Sequence, residues 1–215
     1  MPTTFPELLT KRLRRDPSAP FVTFYDDTTG ERTELSVTTY ANWVSKTANL
    51  FVEELMLDPG DDLHVDLPPH WLGVVFLGGL LSAGLRLDDS APVAIVGPTG
   101  LEVGTRAATT MACALHPFAT RFSEPLPEGV LDHGVLWAGQ SDVFSPDDPT
   151  DLGEPLADDR RVITDVNPLS DAGRDLVVGL LAGSGSMILV VGADDDQWTA
   201  HSQSERSTAA VRAGN

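Results

Sequence analysis

The chain has 215 residues, 41% of them hydrophobic, with 32 acidic against 14 basic residues and a formal net charge of -18. That length and apolar content support one sizeable core and exclude a disordered chain. The negative field repels nucleic-acid phosphates and anionic membrane surfaces, so neither nucleic acid nor membrane is an expected partner. The single cysteine, Cys113, rules out an intrachain disulfide. Set in an apolar run, it reads as a buried thiol in a reducing, cytoplasmic compartment. Residues 1–15 carry their basic side chains after a short apolar stretch and have no small-residue cleavage site, which argues against a secretion signal. The longest uncharged run, Leu67 to Leu85, is broken by Pro68 and Pro69. It is too short for a bilayer span of about 20 apolar residues.

Taken in chain order, Thr3 or Thr4 caps a first helix with Phe5, Leu8, Leu9 and Leu13 at helical spacing, stopped by Pro17 and Pro20. Phe21 to Tyr25 and Thr33 to Leu35 flank the turn-forming Asp26-Asp27-Thr28-Thr29-Gly30 and predict a hairpin. Ser36 is a natural N-cap for a long helix presenting Trp43, Thr47, Leu50, Phe51 and Leu55 on one face, closed by Asp58-Pro59-Gly60. Asp62 to Leu67 alternates strictly, with Leu63, Val65 and Leu67 on one face and Asp62, His64 and Asp66 on the other, as a half-buried strand does. Trp71 to Leu85 reads as an apolar helix whose glycines allow close approach to a sheet, and Ala91 to Val96 as a strand buried on both faces.

Thr105 to Leu115 is expected to be helical, and Val130 to Ala138 helical or irregular. Pro146, Pro149, Pro155, Gly153 and many aspartates make 141–159 a long, exposed, acidic loop. A strand over Arg161 to Thr164, a helix over Gly173 to Ala182, a buried strand over Ser186 to Val191 and a helix over Asp195 to Thr208 complete the chain. The alternation predicts an α/β fold, a layered mixed sheet flanked by helices, with Val93 to Val96 and Met187 to Val191 in the sheet interior and residues 1–215 as a single domain.

The order of helix, hairpin, Leu35-Ser36-Val37-Thr38-Thr39-Tyr40 opening a long helix, Pro59-Gly60-Asp61 leading into a strand, and a Gly-rich helix ending Ser82-Ala83-Gly84 resembles the N-terminal region of adenylate-forming acyl/aryl-CoA synthetases, the AMP-binding superfamily. The resemblance covers roughly residues 5–97. A fainter echo at Leu180-Leu181-Ala182-Gly183 and Met187 to Val191 is similar to a later helix, glycine turn and strand of those enzymes. The family carries a Ser/Thr/Gly-rich phosphate loop ending in lysine, but 95–179 contains no lysine; the whole chain has only Lys11 and Lys46. The aromatic-Gly-x-Thr-Glu signature, the ribose-binding aspartate motif and the small C-terminal domain with its catalytic lysine have no match either. The chain thus looks most like a truncated, degenerate actinobacterial-type form of the family. Without a lysine and a loop to hold the reacting phosphates, adenylation loses its main electrostatic term.

Among sharper motifs, Gly97-Pro98-Thr99-Gly100 follows an apolar strand, with Gly104 close behind, and departs from G-x-G-x-x-G. An ordinary strand-to-helix turn accounts for it, yet Gly97, Thr99 and Gly100 are also where a small ligand would be met at the carboxyl ends of central strands. Gly183-Ser184-Gly185-Ser186 precedes a strand and reads as a helix C-cap. Asp62, His64 and Asp66 could chelate a metal but are explained as the polar face of an exposed strand, and Asp194-Asp195-Asp196 as a solvated helix N-terminus. His70, His133 and His116-Pro117 stand alone, and no G-x-S-x-G elbow activates a serine.

These readings lead to a synthetase-like protein without adenylation activity, acting as a binding or interaction module, with no catalytic residues, metal or cofactor. The alternative is a nucleotide, acyl or aryl ligand-binding protein, or an enzyme using the residual cleft; a third reading is a structural subunit of a larger assembly. Self-association, as a dimer, is expected from the apolar runs Trp71 to Leu85 and Leu176 to Leu181, which exceed what a small body readily hides.

Overall fold

The computed structural model describes residues 3–103, 106–115 and 121–214. Its elements are α1 (Phe5–Arg15), β1 (Pro20–Asp26), β2 (Glu31–Ser36), α2 (Val37–Asn49), a π-helical turn (Leu50–Glu54), β3 (Asp62–Asp66), α3 (Trp71–Ala83), β4 (Arg86–Leu87) and β5 (Val93–Val96). They continue with α4 (Pro98–Val103), β6 (Thr109–Ala112), β7 (Val130–Asp132), α5 (His133–Trp137), β8 (Arg161–Thr164), α6 (Asp171–Ala182), β9 (Ser186–Val191), α7 (Asp195–Ser204) and β10 (Ala209–Val211). The sheet expected from the sequence is two five-stranded sheets. The chain groups into two compact units, one of residues 1–41, 69–74 and 152–215, the other of 42–68 and 75–151.

The first unit holds the sheet β10-β8-β9-β1-β2, antiparallel only between β1 and β2. Its hairpin forms as the turn residues dictate: Asp26 Oδ1 accepts from the Thr28 and Thr29 amides at 2.8 and 3.3 Å, and Gly30 supplies a φ of +77°. The Thr4 amide donates to Glu7 Oε2 at 3.1 Å to open α1, and the Thr39 amide donates to Ser36 Oγ at 3.1 Å to open α2. The Gly183 turn after α6 is a C-cap: a Cβ there would lie 2.2 Å from Asp158 O. Asp194 caps α7 by accepting from the Gln197 amide at 2.8 Å, so the aspartate run is a helix start.

The second unit carries an all-parallel sheet, β4-β3-β5-β6-β7. The helix expected over Thr105 to Leu115 is not there: its described part contains β6, with Thr110, Met111 and Ala112 buried. A strand covered on both faces shows no alternation, so a short apolar run such as Met111 to Leu115 is ambiguous by pattern, and β-branched Thr109 and Thr110 favour the strand. Val130 to Ala138 divides into β7 and α5, and the last expected helix stops at Ser204, its final residues 205–208 forming a turn that leads into β10. Gly104 and His116-Pro117 lie outside the described residues. The acidic segment 141–159 is free of helix and extended strand, as expected.

All of α3 is buried, as are Val177 to Leu181 of α6. The apolar runs behind the expectation of a dimer are therefore core. Among the described residues no helix is long and apolar enough to cross a membrane.

Candidate functional site

The second sheet contains a groove whose origin lies in strand register. β4 pairs with the start of β3 (Asp62 with Arg86, Leu63 with Leu87), whereas β5 pairs with the rest of it on the other side (His64 with Ala94, Asp66 with Val96). The chain therefore passes from one side of β3 to the other in residues 88–92, without the helix that parallel crossovers usually employ. Asp89 of that link comes within 3.5 Å of His64 Nδ1. Beyond the link, the sheet carries a groove of about 940 Å³, extending past the carboxyl ends of β3 and β5. Strand order reverses at β3, with β4 on one side and β5 and β6 on the other, and open α/β sheets form ligand crevices at such a reversal.

Gly97, Thr99 and Gly100 all line this groove. The glycines also have a packing role: a Cβ on Gly100 would lie 2.7 Å from Val96 Cβ, and one on Gly97 would lie 3.2 Å from Leu115 Cδ1. They let the six-residue α4 close against the end of β5. The other polar wall was set aside in the sequence. His64 and Asp66, two apart on β3 and so on one face, line the groove together with Asp89 and Arg106. Their alternation marked a polar face; only the path of 88–92 turns that face into a wall. Asp62 is engaged elsewhere, accepting from Arg86 Nε at 2.8 Å, and no group of three metal-ligating side chains forms among the described residues.

The remaining candidates have structural work. Cys113 is buried, and burial, with the nearby Asp132 carboxylate, pushes its thiol well above the ordinary range. His133 is fully buried against Phe76, ring centroids 5.1 Å apart, and burial lowers its pKa to about 4. In the first unit, Glu31 is nearly buried; desolvation works to raise its pKa, but His70, whose Nε2 lies 3.9 Å away, and the hydrogen bonds from Thr33 and Trp71 hold it below the usual range. Trp71 Nε1 and Thr33 Oγ1 donate to Glu31 Oε1 at 3.0 and 2.9 Å. Glu205 is likewise held low against desolvation, accepting from Tyr25 at 2.5 Å and from Arg161 and Arg32, which ties the end of α7 to the sheet.

No protein-family model matches the chain. The fold matches a Brucella canis acyl-CoA synthetase with a TM-score of 0.75 at 15% identity, over 99% of this chain and 47% of that one. It matches the acetoacetyl-CoA synthetase of Streptomyces lividans with a TM-score of 0.74 at 15% identity, over 98% and 42%. The chain thus has the α/β fold of acyl-CoA synthetases, and its partial coverage of them fits the N-terminal portion that its motifs resemble. In sequence it is 38% identical over 157 residues to a TIGR03089 family protein of Mycobacterium tuberculosis, an alignment covering 68% of this chain and 64% of that protein. The chain therefore spans less than two thirds of that relative and under half of each of the two synthetases.

Proposed function

We propose that this chain is a cytoplasmic, synthetase-fold binding module that does not itself adenylate, and that it takes a small molecule into the groove over β3 and β5. The observation that carries this reading is the groove: about 940 Å³, at a strand reversal, walled by apolar side chains with a few polar groups. That is the usual size and composition of small-molecule sites. The absence of adenylation chemistry rests on charge. Neither lysine lines the groove. Lys46, for its part, donates to Gln140 O and pairs with Asp142 at 3.4 Å. Arg106 is a cation of the lining, but no lysine stands with it to neutralise charge developing on a transferred phosphoryl group.

The 215-residue chain is accordingly expected to give no carboxylic-acid-dependent exchange of labelled pyrophosphate into ATP. Robust exchange with any acyl or aryl acid would overturn that half of the proposal. For the other half, a thermal-shift screen is run on the wild type and on Ala108→Trp, which fills the groove from an exposed position. A ligand at a hundred times its Kd stabilises the folded state by about 2.7 kcal/mol. The variant is expected to lose that shift; a shift that survives it places binding elsewhere.

A further inference from the structure

Within the reading of the groove as a binding site, on which this step rests, we infer that its ligand is an organic amine on an apolar body, held by the Asp66 carboxylate. The lining contains two carboxylates, Asp66 and Asp89, against one guanidinium, Arg106. The carboxylate of Asp66, an exposed residue whose backbone carbonyl accepts from the Gly97 amide at 3.1 Å, takes part in none of the ion pairs or side-chain hydrogen bonds of the described residues, whereas Asp89 already faces His64 Nδ1 at 3.5 Å. Asp66 sits at the end of β3, where Gly100 leaves space beside it: a Cβ on Gly100 would stand 3.5 Å from Asp66 Oδ2. The groove thus offers an unpaired anion beside walls of Leu67, Pro68, Val96 and Ala108.

A phosphate or carboxylate ligand entering there meets that anion and the field of a chain of net charge -18, with one guanidinium in return. A divalent cation finds no group of three ligating side chains among the described residues. An ammonium group on a hydrocarbon body satisfies both features: the charge pairs with Asp66, and the body is desolvated against the apolar walls.

The test sets matched probes against each other by thermal shift and calorimetry at physiological salt, which screens general attraction to an acidic surface. Phenethylamine is compared with phenylacetate, hexylamine with hexanoate, and AMP is added. The amines are expected to bind, the matched acids and AMP not. Asp66→Asn is expected to weaken amine binding about tenfold or more, the loss of one charge-assisted hydrogen bond, with the melting temperature of the unliganded protein unchanged. Asp147→Asn, an exposed carboxylate outside the groove, is expected to change nothing. Amines that bind Asp66→Asn as well as wild type overturn the inference. Acids or AMP that bind in preference to amines, with loss in Ala108→Trp, overturn it while leaving the groove as a site. Failure of every probe, or binding unaffected by Ala108→Trp, removes both. The comparison of amine with acid on the wild type stands whatever the stability of the variants.

Discussion

Replacing Arg12 with alanine is expected to lower stability by about 3 kcal/mol, read as a shift of the urea midpoint without a change in slope. The side chain is 1% exposed. Its Nη1 donates to Leu180 O and Gly183 O at 3.1 and 3.2 Å, its Nη2 to Ser184 O at 3.1 Å, and its Nε to Asp16 Oδ1 at 2.7 Å. Those carbonyls belong to the end of α6 and its turn, where helix geometry leaves acceptors without backbone partners and the dipole concentrates negative charge. The turn cannot rearrange to satisfy them, since Cβ atoms on Gly183 and Gly185 would lie 2.2 and 2.5 Å from Asp158 O, so the strand-bound segment at Asp158 already fills the space. Alanine therefore removes four donor contacts at once and takes the side-chain donor from the buried Leu180 carbonyl, while Gly183 O keeps a second donor in Arg15 Nη2. Lysine in the same place is expected to recover only part of the loss, because one ammonium does not reproduce the planar fork that reaches three carbonyls and a carboxylate. A loss below about 1 kcal/mol for Arg12→Ala, the range of an exposed ion pair, would show that water replaces the guanidinium.

Arg12 also illustrates what was legible in the sequence and what was not. The helix that carries it was evident from its cap and spacing, and basic residues in a last turn indicate by themselves only a dipole contact at their own helix terminus. That the guanidinium reaches another helix is information held in the fold. The same division runs through the molecule. Hairpin, helix caps, β3, β5, β8 and β9 follow from turn chemistry and periodicity, which are local. The split into two sheets depends on which strands pair, and no local pattern encodes that. Trp43 was expected on the core face of its helix but is half-buried and stacks on Trp137 with ring centroids 3.7 Å apart, while Val44 and Ala48 are buried. At the site, Gly97, Thr99 and Gly100 could be found because a glycine turn after an apolar strand is a local signal. His64 and Asp66 were visible as a polar strand face, but what covers that face is decided by a link whose path follows from β4 and β5 pairing with different halves of β3.

Acidification is expected to destabilise the protein in two separable stages, the first of which belongs to His133. Burial alone lowers its pKa from 6.5 to about 4. Among the described residues its Nε2 has no hydrogen-bond partner, and it lies beside the rings of Phe76 and Trp137, with centroids 5.1 and 6.3 Å away. The neighbouring Asp132 carboxylate is occupied by the Gly134 and Phe122 amides at 2.9 and 3.0 Å. In the window between about 6.5 and about 4 the unfolded chain binds a proton at this position and the folded chain does not, so stability falls as pH falls, by about 3 kcal/mol across the whole window. The carboxylates act lower. Glu31 and Glu205 have folded pKa values below the ordinary 4.5, so their contribution is intact above that value and is lost only as pH drops through the folded values. His133→Phe keeps a ring of similar size against Phe76 and removes both the titrating group and an unsatisfied buried nitrogen. The variant is expected to be at least as stable as wild type near neutral pH and to show a nearly flat response down to about 4.5, with the acid limb below that unchanged. Urea unfolding at closely spaced pH values for the two proteins reads the difference directly. Parallel curves through the upper window would mean that the His133 site opens to water before the proton arrives, so that its burial does not set the acid sensitivity.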